Sequence, residues 1–156
     1  MNYPLISEYI EAIRNAEDNF ATLTNLRPVL DDSDNPIMSS GNFAVVFKMK
    51  DVNTGKFHAL KCFTREQEDR AFAYKLISEE LQGVHSPYIV NVRYLENELF
   101  VDSSLSDETD YPVLLMDWVE GQTLTSFLQE IQSYCTSYDF VSFSSKEEQE
   151  AYDDLC

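Results

Sequence analysis

The chain has 156 residues, 44% hydrophobic and 13% aromatic, which supports one folded domain with a real core and excludes a disordered chain. Its 28 acidic and 11 basic residues leave a net charge of −17, which argues against binding to nucleic acid or an anionic membrane through clustered Lys and Arg. Three cysteines without close spacing make neither a disulfide framework nor a zinc site, no apolar run approaches the roughly 18 residues of a membrane span, and no charged-then-apolar leader opens the sequence.

A reducing, cytoplasmic setting is therefore expected. The acidity reads as a solubilising surface, with an acidic docking face for a basic partner as the alternative.

Residues 4–18 are predicted helical: Pro4 suits a first turn, and Ile6, Tyr9, Ile10 and Ile13 form one stripe. A short strand is expected at Leu26–Leu30, then a loop over Asp31–Pro36. Strands follow near 37–39, 44–51 and 56–63, the last two joined at Asn53-Thr54-Gly55, where Gly55 supplies a positive φ. Thr64-Arg65-Glu66-Gln67 has the form of a capping box, which predicts a helix from about 65 to Gln82 with Gly83 as its stop. Val90–Val101 reads as β with a hairpin of its own, Asp102–Asp110 as an acidic, serine-rich loop, and 112–118 as an apolar strand. A helix is expected at about 123–134, an irregular stretch at 135–145, and a further helix from the capping box Ser145-Lys146-Glu147-Glu148.

Three segments carry the candidate chemistry. The first is Ser39-Ser40-Gly41-Asn42-Phe43-Ala44-Val45-Val46, a glycine-containing turn between two strands. The second is Ala59-Leu60-Lys61, which ends an apolar strand on a lysine. An ammonium there needs anionic partners, because burying an unpaired charge is costly; a lysine facing solvent is the plainer reading. The third is Val113–Leu124, an apolar strand running into Trp118-Val119-Glu120-Gly121. His58 and His85 have no third ligand at metal spacing, and Cys62 reads as a small core residue.

Together these segments resemble the N-terminal, ATP-binding lobe of the eukaryotic-type protein kinases, of the serine/threonine kind, over residues 36–130. The family pattern G-x-G-x-x-G-x-V followed by A-x-K falls on Ser39, Gly41, Ala44, Val46, Ala59 and Lys61. His85-Ser86-Pro87-Tyr88-Ile89-Val90 is similar to its H-P-N-I-V, and Val113–Leu124 to its strand and hinge. Only the middle glycine is kept; a left-handed Ala44 would carry strain of roughly 1–2 kcal/mol.

The resemblance implies an α+β fold: a five-stranded antiparallel sheet with one long helix and flanking helices. It divides the chain into an N-terminal extension (1–35), the lobe (36–122), and a hinge-following helix with the start of a truncated larger lobe (123–156). It implies ATP as ligand, with Lys61 on the phosphates and Met38, Val46 and Ala59 walling the purine. Met116 is the implied gatekeeper, with the Asp117 carbonyl and Val119 N–H facing adenine and Thr123 near the ribose.

The helix glutamate that pairs with Lys61 in the family has three readings here. Glu80 lies amid the apolar stripe of Phe72, Ala73, Leu76 and Ile77; Glu79 is adjacent; or no glutamate pairs at all. Mg²⁺ would arrive with the nucleotide, since no ligands for it stand at the expected spacing. Asp139-Phe140-Val141 looks like the family's D-F-G, but it lies too close to the hinge and has no H-R-D segment before it. The expected activity of a complete enzyme is transfer of the ATP γ-phosphate to protein hydroxyls. The alternative is a non-catalytic lobe that binds a protein partner, or itself, through an exposed lower face including Leu124, Phe127, Leu128 and Ile131.

Overall fold

A computed structural model describes residues 2–66, 70–84, 86, 88–122 and 124–137. The expected helix opening at the capping box Ser145–Glu148, Asp139-Phe140-Val141, His85 and Thr123 lie outside that set. The chain divides into two units, Met1–Trp118 and Val119–Cys156.

The first unit opens with helix α1 (Ile6–Arg14), which starts two residues after Pro4, with Glu8 reaching back to accept the Leu5 N–H. The predicted 4–18 helix breaks at Asn15, and a short α2 (Ala16–Asn19) continues it. The stripe is as predicted: Tyr9 and Ile13 are buried, and Ile6 and Ile10 pack against the core.

Strands β1 (Leu26–Pro28), β2 (Met38–Ser40), β3 (Ala44–Asp51) and β4 (Phe57–Phe63) follow, the last two joined at Gly55 with φ +73°. Next come helix α3 (Arg70–Leu81), β5 (Val92–Phe100) and β6 (Asp110–Asp117). Thr64 and Arg65 form a bend rather than a helix start.

The unit is α+β, built on an antiparallel sheet in the order β1-β3-β4-β6-β5 with β2 also on β3. β1 pairs with Met49–Asp51 and β2 with Val45–Phe47, so the two short strands share one edge of β3 end to end. Six strands thus fill five positions.

Alternation along the strands sorts side chains onto two faces. On one face the cross-strand rows are Val45–Cys62–Val113–Leu95 and Phe47–Leu60–Leu115. Tyr9, Ala12, Ile13, Ala16 and Phe20 cover that face and complete the core. Burial pushes the Cys62 thiol up in pKa, as suits an inert core residue. The opposite face carries the rows Val46–Lys61–Leu114–Tyr94 and Lys48–Ala59–Met116–Val92.

β5 does not fold into its own hairpin. It is one strand with a register break between Leu95 and Leu99, and Glu98 is 3% exposed. The Glu98 carboxylate accepts from Thr22 N–H (2.8 Å), Thr22 hydroxyl (2.7 Å) and Leu23 N–H (2.7 Å), which offsets its burial. Two further bonds hold the N-terminal segment to the sheet unit: Tyr9 donates its hydroxyl to the Phe63 carbonyl at 2.7 Å, and Glu8 accepts from Ser104 N–H at 2.8 Å.

The second unit contains helix α4 (Leu124–Ser137), close to the predicted 123–134. Its Leu124, Phe127, Leu128 and Ile131 are exposed.

Candidate functional site

Lys61 lies within the apolar run of β4, the middle strand of the sheet, whose period-two alternation turns Lys61 away from the packed core. Its ammonium donates to the Tyr74 hydroxyl of α3 at 2.8 Å. It also lies 5.0 Å from the centre of the Tyr74 ring and 5.9 Å from that of Phe63. The charge thus gains one hydrogen bond and ring-face attraction, the latter worth about 0.5–2 kcal/mol. One of its three N–H donors goes to Tyr74, and a lysine in this state can still donate to an anion.

Of the three readings for a helix carboxylate, the described residues match the one in which no glutamate pairs with Lys61. Glu80 and Glu79 are exposed, and no ion pair joins Lys61 to either among the described residues. The reason is the rotation of α3. Tyr74, Ser78 and Leu81, at i, i+4 and i+7, are its half-buried positions, and the Ser78 hydroxyl accepts the Tyr94 N–H at 3.2 Å. The apolar stripe of Phe72, Ala73, Leu76 and Ile77, with Glu80 in its middle, therefore faces outward.

Four expected site residues share one face of the sheet. Val46 stands opposite Lys61, and Ala59 opposite Met116, in neighbouring rows. Ser39 stands opposite Val46 and joins them. Met38 does not: it pairs with Phe47, so alternation assigns it to the other face, and it is no wall of this site.

Gly41 donates its N–H to the Ala44 carbonyl at 2.9 Å, closing the turn between β2 and β3. Ala44 is an ordinary β3 residue without positive φ, so the strain considered for a left-handed alanine does not arise. The turn is also anchored, since Thr64 N–H donates to the Phe43 carbonyl at 2.9 Å.

Asp117 turns its carboxylate to the core side of the sheet. Asn91 Nδ2 donates to it at 3.0 Å, and His58 Nδ1 lies 3.9 Å from its other oxygen. These groups border a cleft of about 430 Å³ between the end of α3 and strands β5 and β6, lined by Ser78, Glu79, Arg93, Tyr94 and Met116 among others. Val119, the expected adenine donor, belongs to the second unit. Trp118 donates its backbone N–H to the Phe57 carbonyl at 3.2 Å, and Lys48 Nζ sits 4.7 Å from both the Phe57 and Trp118 rings.

The residue missed in the sequence is Tyr74. Its signal was its place thirteen residues after Lys61 on a helix, with Ser78 one turn further on the same side.

No protein-family model matches this chain, and no curated protein matches it. Among the described residues, no helix is long and apolar enough to cross a membrane, and no group of three His, Cys, Asp or Glu side chains could hold a metal ion.

Proposed function

We propose that this chain carries the nucleotide-binding lobe of a serine/threonine protein kinase-like protein. On this reading ATP lies against the sheet face of Val46, Ala59 and Met116. Lys61 contacts its phosphates, and the backbone of Asp117 meets adenine. Mg²⁺ enters with the nucleotide, and the complete enzyme transfers the γ-phosphate to protein hydroxyls.

The observation that carries the reading is the register of β4 and β6. It sets Ala59 beside Met116 one row from Lys61, although the residues come from segments more than fifty positions apart in sequence. Further support comes from the order of elements, with α3 inserted before the last two strands and β6 rather than β5 on β4. Titration of the chain with Mg-ATP by calorimetry tests it, with Lys61→Met as the control. Heat that is absent, or unchanged by the substitution, would sink it.

A second reading has its own observation. Among the described residues Lys61 is held by a neutral hydroxyl and two rings, with no carboxylate, and Gly41 spends its N–H inside its own turn. Both suit a lobe that binds a protein partner without catalysis. Partner binding that persists in Lys61→Met, together with no Mg-ATP binding in the unmodified chain, would favour it.

A further inference from the structure

We propose that the outward face of α3 is a docking surface for a cationic amphipathic helix from a different protein. The surface begins with Phe72, 64% exposed, and continues through Ala73, Leu76 (43%) and Ile77 (44%) on one side of the helix. Scattered exposed apolar side chains are ordinary, but three large ones on a single helical stripe form a patch. The stripe is not spare packing surface for the sheet, because the opposite side of α3 already bonds it through Tyr74 and Ser78. The surface stands independently of any nucleotide.

Charge selects the occupant. Glu79 and Glu80 are exposed one turn beyond Leu76 and Ile77 on the same helix. Lys75, the neighbouring cation, is engaged by Glu96 at 3.0 Å. A second copy would bring the same two glutamates and another net charge of −17. The chain's own residues 138–156 carry six acids against one lysine, so their charge is no complement to the two glutamates. A helix with leucine-like anchors at i, i+3 and i+4 and Lys or Arg along its flanks matches both the stripe and the two glutamates. Its charges would raise the association rate and its salt sensitivity more than the affinity itself.

The test uses the full 156-residue chain and two synthetic helical peptides, one of Leu and Lys and one of Leu and Glu in the same pattern. Binding is followed by calorimetry and its footprint by amide hydrogen exchange. The Leu/Lys peptide should bind, protect amides within 70–81, and weaken as salt rises. The double substitution Leu76→Ser/Ile77→Ser should lower its affinity at least tenfold without moving the melting temperature. Leu124→Ser/Phe127→Ser should leave it unchanged, and the Leu/Glu peptide should not bind.

Equal binding of both peptides overturns the proposal, as does a footprint confined to 102–110 or 124–131. Sedimentation showing dimers that Leu76→Ser/Ile77→Ser dissolves would make a second copy the occupant. Protection of 72–77 in the free monomer would assign the surface to the chain itself. Either result also overturns it.

Discussion

The Lys61 ammonium donates to the Tyr74 hydroxyl at 2.8 Å, a lysine–phenol contact where a glutamate of the same helix was one of the partners considered. A neutral partner orients the ammonium without cancelling its charge. Lys61 therefore keeps its full attraction for an anion, while the helix that positions it is held less firmly than an ion pair would hold it.

Nucleotide affinity should follow that contact. In Mg-ATP titrations, Lys61→Met should weaken binding at least tenfold. Tyr74→Phe should cost about 1 kcal/mol, roughly fivefold in affinity. Glu80→Gln should change nothing, and a large loss in that variant alone would restore the carboxylate reading.

Phosphoryl transfer should be undetectable with these 156 residues alone. On the kinase-like reading, catalysis comes from positioning the phosphoryl group and stabilising its charge, and no candidate catalytic base or paired metal-ligand motif follows Val113–Leu124 in this sequence. A radiolabel assay well above background, and lost in Lys61→Met, would contradict this.

Glu98 should be among the costliest single positions to change. Glu98→Ala would leave the buried Leu23 N–H without its acceptor, while the exposed Thr22 donors turn to water, a loss of about 1–3 kcal/mol. Denaturant unfolding measures it directly. A loss below the error of the fit would mean that water or a rearranged loop replaces the carboxylate.

Acid should release the loop at 102–109 from α1. Glu8 accepts from Leu5 N–H, from Ser104 N–H and hydroxyl, and from Ser103 hydroxyl, and the Ser104 bonds chiefly hold its carboxyl at about 2, below the usual 4.5. A depressed folded-state value means this stability is complete above pH 4.5 and fades as pH falls towards 2. The melting-temperature gap between the native chain and Glu8→Gln should be constant above pH 5 and close below pH 4. A gap independent of pH would remove Glu8 from this role.

The strands were legible in the sequence where local chemistry set them. Asn53-Thr54-Gly55 fixed the β3–β4 turn, and alternation then placed Lys61 and Cys62 on opposite faces. The rotation of α3 was not legible. An apolar helical stripe normally turns to the core, but α1 and α2 already fill the apolar face of this sheet with Tyr9, Ile13 and Ala16. The face left to α3 presents Lys61 and the Tyr94 backbone, which a Tyr–Ser side satisfies better than Phe72 and Leu76 would. β5 misled for a related reason. Glu96-Asn97-Glu98 has the polarity of a turn, and only the distant backbone of residues 22–23 explains a carboxylate inside the fold.

The N-terminal helices that cover the sheet also dictate how the protein emerges from a ribosome. Glu8 meets its serine 96 positions later, and Thr22 meets Glu98 after 76. Their apolar side, with Tyr9 and Ile13, is therefore only partly covered until Leu99, Tyr111 and Val113 of the same core have been made. Contacts this far apart in sequence slow folding, because the loops they close cost entropy before any contact is gained. The nascent chain stays open to chaperones and proteases until these late strands have left the exit tunnel, and a pause before that point lengthens the exposure.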